Sequence, residues 1–491
     1  MNVAPHGFTL EGSIGTGFTN FFLPLHKRFT PEAQRLTRER AARLARAHAG
    51  ESPASSPPSE ATDSDWRIEL PIWCADQRVV MFGAADDAER CAQLLRSGTP
   101  GIVLDLEDSM VNTWEHLMRA HQNVLDSLYA ASGTVVWTRV RGLQLAQAGI
   151  VAHVPVSASL FDLTLLVFRC DYARLAHPLC ISIPRSESAP EALWWNDVFT
   201  ALIEAKGWPH DAIKAMPTVE SYPLPFELEE FLYNLREHAV GLSFGRRNYL
   251  ASSLHYNFSN PAWLLPDRDK IPFDAGFLQR TRAQLTETAH KRGALAIGGL
   301  TTLYPNPADP ELNARALATL EREKRIEGDS CMDGAWTGDP AQNAVAIAAF
   351  PYPNQIAECR EVAAQPIAPA TFDLPRAASD GATGGATLAG THAAIRTAIR
   401  YRNGVLEGRG ASLLDGNLED RSSDRLCRLT IAQRTRLPGT YTPQSLGAAF
   451  DEELARILTE LKDAGPSTIA RYRRAREISE ALIQTETFDS T

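Results

Sequence analysis

Along the middle of the chain, short apolar runs rich in β-formers alternate with longer stretches whose apolar residues recur every three or four positions. The runs fall at 79–83, 101–108, 135–142, 163–170, 179–184, 215–221, 239–245 and 294–300. Stretches of helical periodicity between them include 87–96, 114–130, 191–206 and 225–237. Runs this apolar read as strands covered on both faces, which in alternation with helices means a parallel sheet. Eight of them predict an α/β chain built on a (β/α)8 TIM barrel spanning 70–350. An open, doubly wound sheet is the competing arrangement, but no G-x-G-x-x-G follows the first strand to support it. The long gap at 246–293 reads as a lid or an insertion.

The flanks carry a different pattern. Residues 20–48 form an amphipathic helix rich in arginine, ordinarily a solvated face, or else a clasp on the barrel or a contact with a partner. A Ser/Pro-rich linker follows at 51–64, and a second linker rich in Pro and Gly runs through 361–390. The expected division is an N-terminal helical segment with its linker (1–69), the barrel (70–350), a linker (351–390) and a C-terminal helical domain (391–491).

Composition narrows the function. A hydrophobic content of 44% and a charged content of 22% are those of a globular domain. The net charge of −10, without a basic stripe, argues against a nucleic-acid partner. No apolar run is long enough to span a membrane. The first 20 residues lack a charged segment followed by an apolar one, and the Phe-Asp-Ser-Thr ending is no peroxisomal address, so a cytoplasmic protein is expected. Seven scattered cysteines with no C-x-x-C read as free thiols, with no disulfide frame or zinc site.

Chemistry is concentrated where the strands end. The run Gly101-Ile-Val-Leu-Asp-Leu-Glu-Asp108 stops abruptly in Asp105, Glu107 and Asp108. In a parallel barrel the C-terminal ends of the strands form the floor of the active site. The other runs end in Arg139 and Arg141, in Pro184-Arg185, in Glu220, in Gly245-Arg246-Arg247-Asn248, and in Gly298-Gly299. Arg139 and Arg141 could instead pair with Asp105 and Asp108 as a structural ion cluster. Glu419 and Asp420, after a Gly-rich loop, could equally start a helix.

These residues resemble the malate synthase family in its shorter, A-type form. The resemblance rests on Leu104-Asp-Leu-Glu-Asp-Ser109 with Asn112-Thr-Trp-Glu115, on Ser159-Leu-Phe-Asp162, and on Leu193-Trp-Trp-Asn-Asp-Val-Phe199. It extends through Leu228 to Leu242, then Leu265-Pro-Asp-Arg268 and Arg292-Gly-Ala294. It implies an acyltransferase that condenses acetyl-CoA with glyoxylate to give malate and CoA, in the glyoxylate cycle beside the tricarboxylic acid cycle. It also implies Asp420 as the catalytic base and Arg139 as the cation facing the enolate. Glu107 and Asp108 would orient that arginine, and Gly245, Arg246 and Arg247 would bind substrate. Glu220 and Asn248 fall where the family holds Mg2+. The partners implied are small molecules, with no nucleic acid or membrane, in a monomer or small homo-oligomer. The strand-two block also resembles the citrate lyase β-subunit, which leaves open a lyase or condensing enzyme acting on another 2-oxo acid, or a silent CoA-binding paralogue.

The chain departs from the family at the metal position. Where the family reads Gly-Arg-Trp-Asp, this chain reads Gly245-Arg246-Arg247-Asn248, which adds two positive charges. Further departures are Arg185 for lysine and Gly338 in the block that is Trp-Val-Ala-His-Pro in the family. A unit charge at about 4 Å and an effective dielectric of about 20 is worth about 4 kcal/mol. Weak or absent Mg2+ dependence is therefore expected, with Arg247 in the cation's role.

Overall fold

The computed structural model describes residues 2–151, 154–260, 263–359, 385–436, 442–462 and 464–489. Eight parallel strands close a barrel: β1 (Val79–Ala84), β2 (Gly101–Asp105), β3 (Val135–Arg139), β4 (Leu179–Ile183), β5 (Ile213–Val219), β6 (Gly241–Phe244), β7 (Leu295–Gly298) and β8 (Gly334–Thr337). Each pairs with the next in chain order, and β8 closes onto β1. The strands read as unbroken apolar runs because both faces are buried. Val80, Phe82, Val103, Val135, Trp137, Leu295 and Ile297 share one core. Their neighbours Met81, Ile102, Leu104, Val136 and Ala296 belong to a second, which includes the surrounding helices.

Seven of the eight expected runs are barrel strands, and two assignments are corrected. The run at 163–170 is helical. It lies in the helix Ala158–Arg169, capped by the Ser157 side chain and buried at every position from Ala158 to Val167. A helix covered on all sides shows no polar face, so its periodicity is lost and its sequence mimics a strand. The true eighth strand, Gly334–Thr337, spans only four residues and was not expected.

The arginine-rich segment is helix α1 (Phe18–His48), which lies along the barrel's outer layer on α2 (Ala158–Arg169) and α3 (Ala189–Lys206). Its basic face is not simply solvated. Arg40 makes a two-pronged ion pair with the buried Glu191 at 2.8 and 2.5 Å. Arg43 donates to the Glu187 carbonyl at 2.7 Å and to Glu227 at 3.2 Å. Phe18 and Phe22 pack edge-on against Phe161. The helix is a clasp.

The gap at 246–293 holds α4 (Arg246–Tyr256) and the helix Gly276–Lys291. The stretch between them docks the C-terminal domain. Asp267 accepts from Arg434 at 2.8 Å and from the Thr387 hydroxyl at 2.6 Å, and Arg268 pairs with Glu419 at 2.6 Å. That domain comprises α5 (Leu388–Leu406), a hairpin (Ser412–Leu414 with Asn417–Glu419), α6 (Arg421–Arg436) and two further helices. Its backbone is stitched to the barrel mouth: Leu418 N–H donates to the Thr302 carbonyl, Gly416 accepts from Tyr304 N–H, and Arg421 N–H donates to the Asp108 carbonyl. Most of the expected second linker, 360–384, lies outside the described residues.

The expectation of free thiols is corrected at one pair. Cys331, just before β8, is bonded to Cys359, with Cα atoms 6.0 Å apart. The chain folds back there because Gln355 N–H donates to Asp333 and its side chain donates to the Met332 carbonyl. The other five cysteines are buried thiols. Among the described residues, no helix is long and apolar enough to cross a membrane.

Candidate active site

The register of the barrel builds the floor of the site. Asp105 and Arg139 end β2 and β3 as direct neighbours, and Arg139 Nη1 donates to Asp105 Oδ1 at 3.0 Å. Asp105 also accepts from Glu107 N–H and Ser109 N–H, at 3.0 and 2.8 Å, which curls the chain after β2 around it. That curl lifts Glu107 and Asp108 over the barrel mouth. Arg139 Nη2 then reaches Asp108 at 3.1 Å, Glu220 at 3.0 Å and Glu107 at 3.2 Å. Burial opposes the guanidinium charge, but Glu220 and Asp108 lead a set of carboxylates that hold it far more firmly charged than usual. Arg139 is thus both a structural ion-pair centre and a wall of the cavity. Arg141 turns the other way, onto Asp162 at 2.7 Å, and serves structure.

Glu220 follows β5, and Gly245-Arg246-Arg247-Asn248 carries β6 into the first turn of α4. A side chain at 245 would put its Cβ 2.6 Å from Glu220 Oε2, so only glycine lets this carboxylate lie against the backbone. The Asn248 amide nitrogen donates to Asp108 at 2.9 Å and to Glu220 at 2.8 Å. Arg185, expected as a strand-end cation but not as a substrate or metal ligand, joins the same cluster. It ends β4 with a positive φ of 50°, unusual for a residue other than glycine. Its N–H donates to Glu220 at 2.9 Å and its guanidinium to Asp108 at 2.5 Å. Burial raises the Asp108 carboxyl, but Arg185 and Arg139 outweigh it and hold the group well below the usual carboxylate range. Glu107 differs: burial dominates and pushes its carboxyl up.

Asp420 enters from the other domain. One carboxylate oxygen accepts from Ser422 N–H at 2.9 Å, the Ser422 hydroxyl at 2.5 Å and Ser423 N–H at 3.2 Å, which caps the start of α6. The other oxygen accepts from Arg247 at 2.8 Å. The expected helix start is met, and the same carboxylate lies in the wall of the cavity at the barrel mouth. Burial is the largest influence on Asp420 and raises its carboxyl above the usual range, with Arg247 acting against it.

Asp108, Arg139, Glu220, Arg247, Asn248 and Asp420 line one cavity of about 60 Å3, with Gly245 and Arg246 beside them. Phe82, Phe244, Leu300 and Trp336 give it apolar walls. Each residue expected from the sequence meets here except Glu107, which sits one layer behind, between Arg139 and a Gln144 amide at 2.8 Å. Strands from across the barrel and the start of the C-terminal helix α6 converge on one small cavity, an arrangement suited to chemistry.

The donor set does not fit a magnesium ion. Mg2+ requires oxygens at about 2.0–2.1 Å in near-octahedral array. Here the facing oxygens of Asp108 and Glu220 already accept from Asn248 and Arg139. Asn248 presents its donor, not its oxygen, to those carboxylates. Among the described residues, no three His, Cys, Asp or Glu side chains are grouped to hold a metal ion. Arg247 lies in the cavity wall, donating to Asp420 at 2.8 Å and to the Leu418 carbonyl at 2.6 Å, and the amide of Asn248 bridges the two carboxylates.

The family model described as "Malate synthase, TIM barrel domain" matches residues 135–370. Malate synthase of Streptomyces clavuligerus is 31% identical over 84% of this chain and 81% of that protein. Malate synthase A of Escherichia coli is 29% identical over 87% of this chain and 84% of its own. Among solved structures, the citrate lyase beta subunit from M. tuberculosis, complexed with oxaloacetate and magnesium, is 18% identical with a TM-score of 0.39, covering 57% of this chain and 99% of its own. The chain belongs to the malate synthase family.

Proposed function

We propose that the protein condenses acetyl-CoA with glyoxylate, releasing malate and free CoA, as a cytoplasmic enzyme of the glyoxylate cycle. The observation that carries this reading is the meeting of Asp420, from the C-terminal domain, with Arg139 and Glu220 in one small cavity at the barrel mouth. On this reading the barrel, 70–350, holds the acceptor, and the domain at 391–491 brings the base.

The reaction balances with these residues. Asp420 takes a proton from the acetyl methyl group, and the freed electron pair moves to the thioester oxygen as an enolate. A carboxylate raised by burial is a stronger base than an ordinary one, and Arg247 acts against that rise by favouring the charged form. The enolate oxygen needs a fixed positive group, and Arg139 supplies a rigid guanidinium locked by four carboxylates. The enolate carbon attacks the aldehyde carbon of glyoxylate, and the new alkoxide takes up a proton. Water then adds to the thioester carbonyl, the C–S bond breaks, and CoA leaves as the thiol. The cavity is small enough to suit a two-carbon acceptor, with Arg246 and Arg247 at hand for its carboxylate.

Release of free thiol from acetyl-CoA, measured with and without glyoxylate, tests this reading. Glyoxylate-dependent release with one malate formed per thiol is expected. Equal release without glyoxylate, or none in its presence, overturns it.

A further inference from the structure

We infer that this enzyme takes up no divalent cation in its acceptor cavity, and that a guanidinium group of its own, Arg247, polarises the acceptor. The inference rests on reading the cavity as the acceptor site.

Charge is the first argument. The cavity wall carries three carboxylates, Asp108, Glu220 and Asp420, and three guanidinium groups, Arg139, Arg246 and Arg247. The lining is balanced, and Asp105, Glu107 and Arg185 in contact with it leave the cluster within about one charge of neutral, so a dication would overshoot in a buried space, which is unfavourable. With aspartate at 248 and a neutral residue at 247, the same wall would hold four carboxylates and two guanidinium groups. That is a net charge of −2, which a divalent ion matches. The two departures from the family pattern therefore replace the charge of one such ion.

Space is the second argument. The gap between Asp108 and Glu220 is bridged twice by N–H donors, from Asn248 at 2.9 and 2.8 Å and from Arg139 at 3.1 and 3.0 Å. A donor hydrogen at that point excludes a cation. Asn248 thereby acts as a positioning residue, holding together two carboxylates that would otherwise repel each other. Arg185 reinforces the arrangement from behind, on Asp108 and Glu220.

Unused hydrogen-bonding groups are the third. Arg139 Nε–H and Asn248 Oδ1 are buried and have no hydrogen-bond partner. Buried polar atoms rarely stay unpaired, and in a cavity wall they are the groups a ligand completes. A substrate oxygen can accept from Arg139 Nε–H, and a bound water can donate to Asn248 Oδ1. No metal is needed for this.

Two measurements test the inference independently. Titration calorimetry of the intact protein with MgCl2, supported by Mn2+ paramagnetic resonance, should show no saturable binding below the millimolar range. The double variant Arg247→Trp/Asn248→Asp should bind Mg2+ at least 100-fold more tightly than the unaltered protein. Thiol release by the unaltered enzyme should be the same in EDTA as in Mg2+. Micromolar Mg2+ binding by the unaltered protein, or turnover abolished by EDTA and restored by Mg2+, overturns the inference. If no thiol is released under any condition, the condensation reading fails, and the binding titration alone decides whether the cavity takes a cation. If the double variant does not fold, the titration of the unaltered protein still decides.

Discussion

Replacing Asp420 by asparagine separates the chemical role of this residue from its structural one. The amide keeps an oxygen where Ser422 N–H, the Ser422 hydroxyl and Ser423 N–H donate, so the cap of α6 survives. Its nitrogen then faces Arg247, which loses a charged hydrogen bond of 2.8 Å, worth about 1.5–3 kcal/mol. Against this stands the direction of the Asp420 shift. Burial raises the carboxyl above its unfolded value, so the folded protein binds the proton more tightly than the unfolded chain does. Above that raised value the charged group costs folding free energy, and a neutral amide removes the cost. The two effects oppose, and the melting midpoint of Asp420→Asn at pH 8 should stay within about 4 °C of the parent. Turnover should fall far more. Loss of a general base removes roughly two to four powers of ten, or about 3–5 kcal/mol of barrier. Thiol release under saturating substrates and a calorimetric melt measure both. A variant retaining more than a tenth of the parent rate, or one that melts far lower, refutes the reasoning.

His238 and His255 are pushed down to about 4, chiefly by burial, from an ordinary value of 6.5. Both are neutral when folded, so the stability they contribute is present above about pH 6.5 and is lost as pH falls towards 4. Urea midpoints should fall between pH 7.5 and pH 5, and equal midpoints contradict this. Gly338→Ala would set a Cβ 1.6 Å from the Tyr304 hydroxyl, so the buried ring must move, at a cost of about 1–3 kcal/mol. A melt unchanged from the parent would show that the space is not occupied as described. Unreduced, denatured protein should titrate five thiols with a chromogenic disulfide, and seven after reduction. Seven without reductant would exclude the Cys331–Cys359 bond.

The barrel was legible because seven of its strands are buried on both faces and five of them run into polar residues. The helix Ala158–Arg169 misled for the same reason: full burial removed the polar face that distinguishes a helix. β8 was silent because four residues with a single β-branched member give too little signal. At the site, Asp105 to Asp108 stood out from local contrast alone, whereas Asp420 could be assigned a task only through the resemblance. Nothing in the residues near 420 announces that they reach a cavity built some 170 positions earlier, at Arg247 and Asn248. The bridging of Asp108 and Glu220 by Asn248 was equally hidden, since the sequence gives the residue type but not which end of the amide faces the acids. Arg185 was visible as a strand-end cation, but its left-handed backbone was not. The cysteine pair, 28 residues apart, has no spacing that distinguishes a bond from two thiols.

The double duty of Asp420 has a consequence for how this enzyme can change. One oxygen fixes where a long helix begins and the other faces Arg247, so on the condensation reading the aim of the base and the seat of that helix are a single adjustable quantity. A change anywhere along α6 that tilts its first turn redirects the base, even from a surface remote from any ligand. Drift in that helix is therefore restrained from within the cavity, and selection for a different acceptor has to begin on the barrel side.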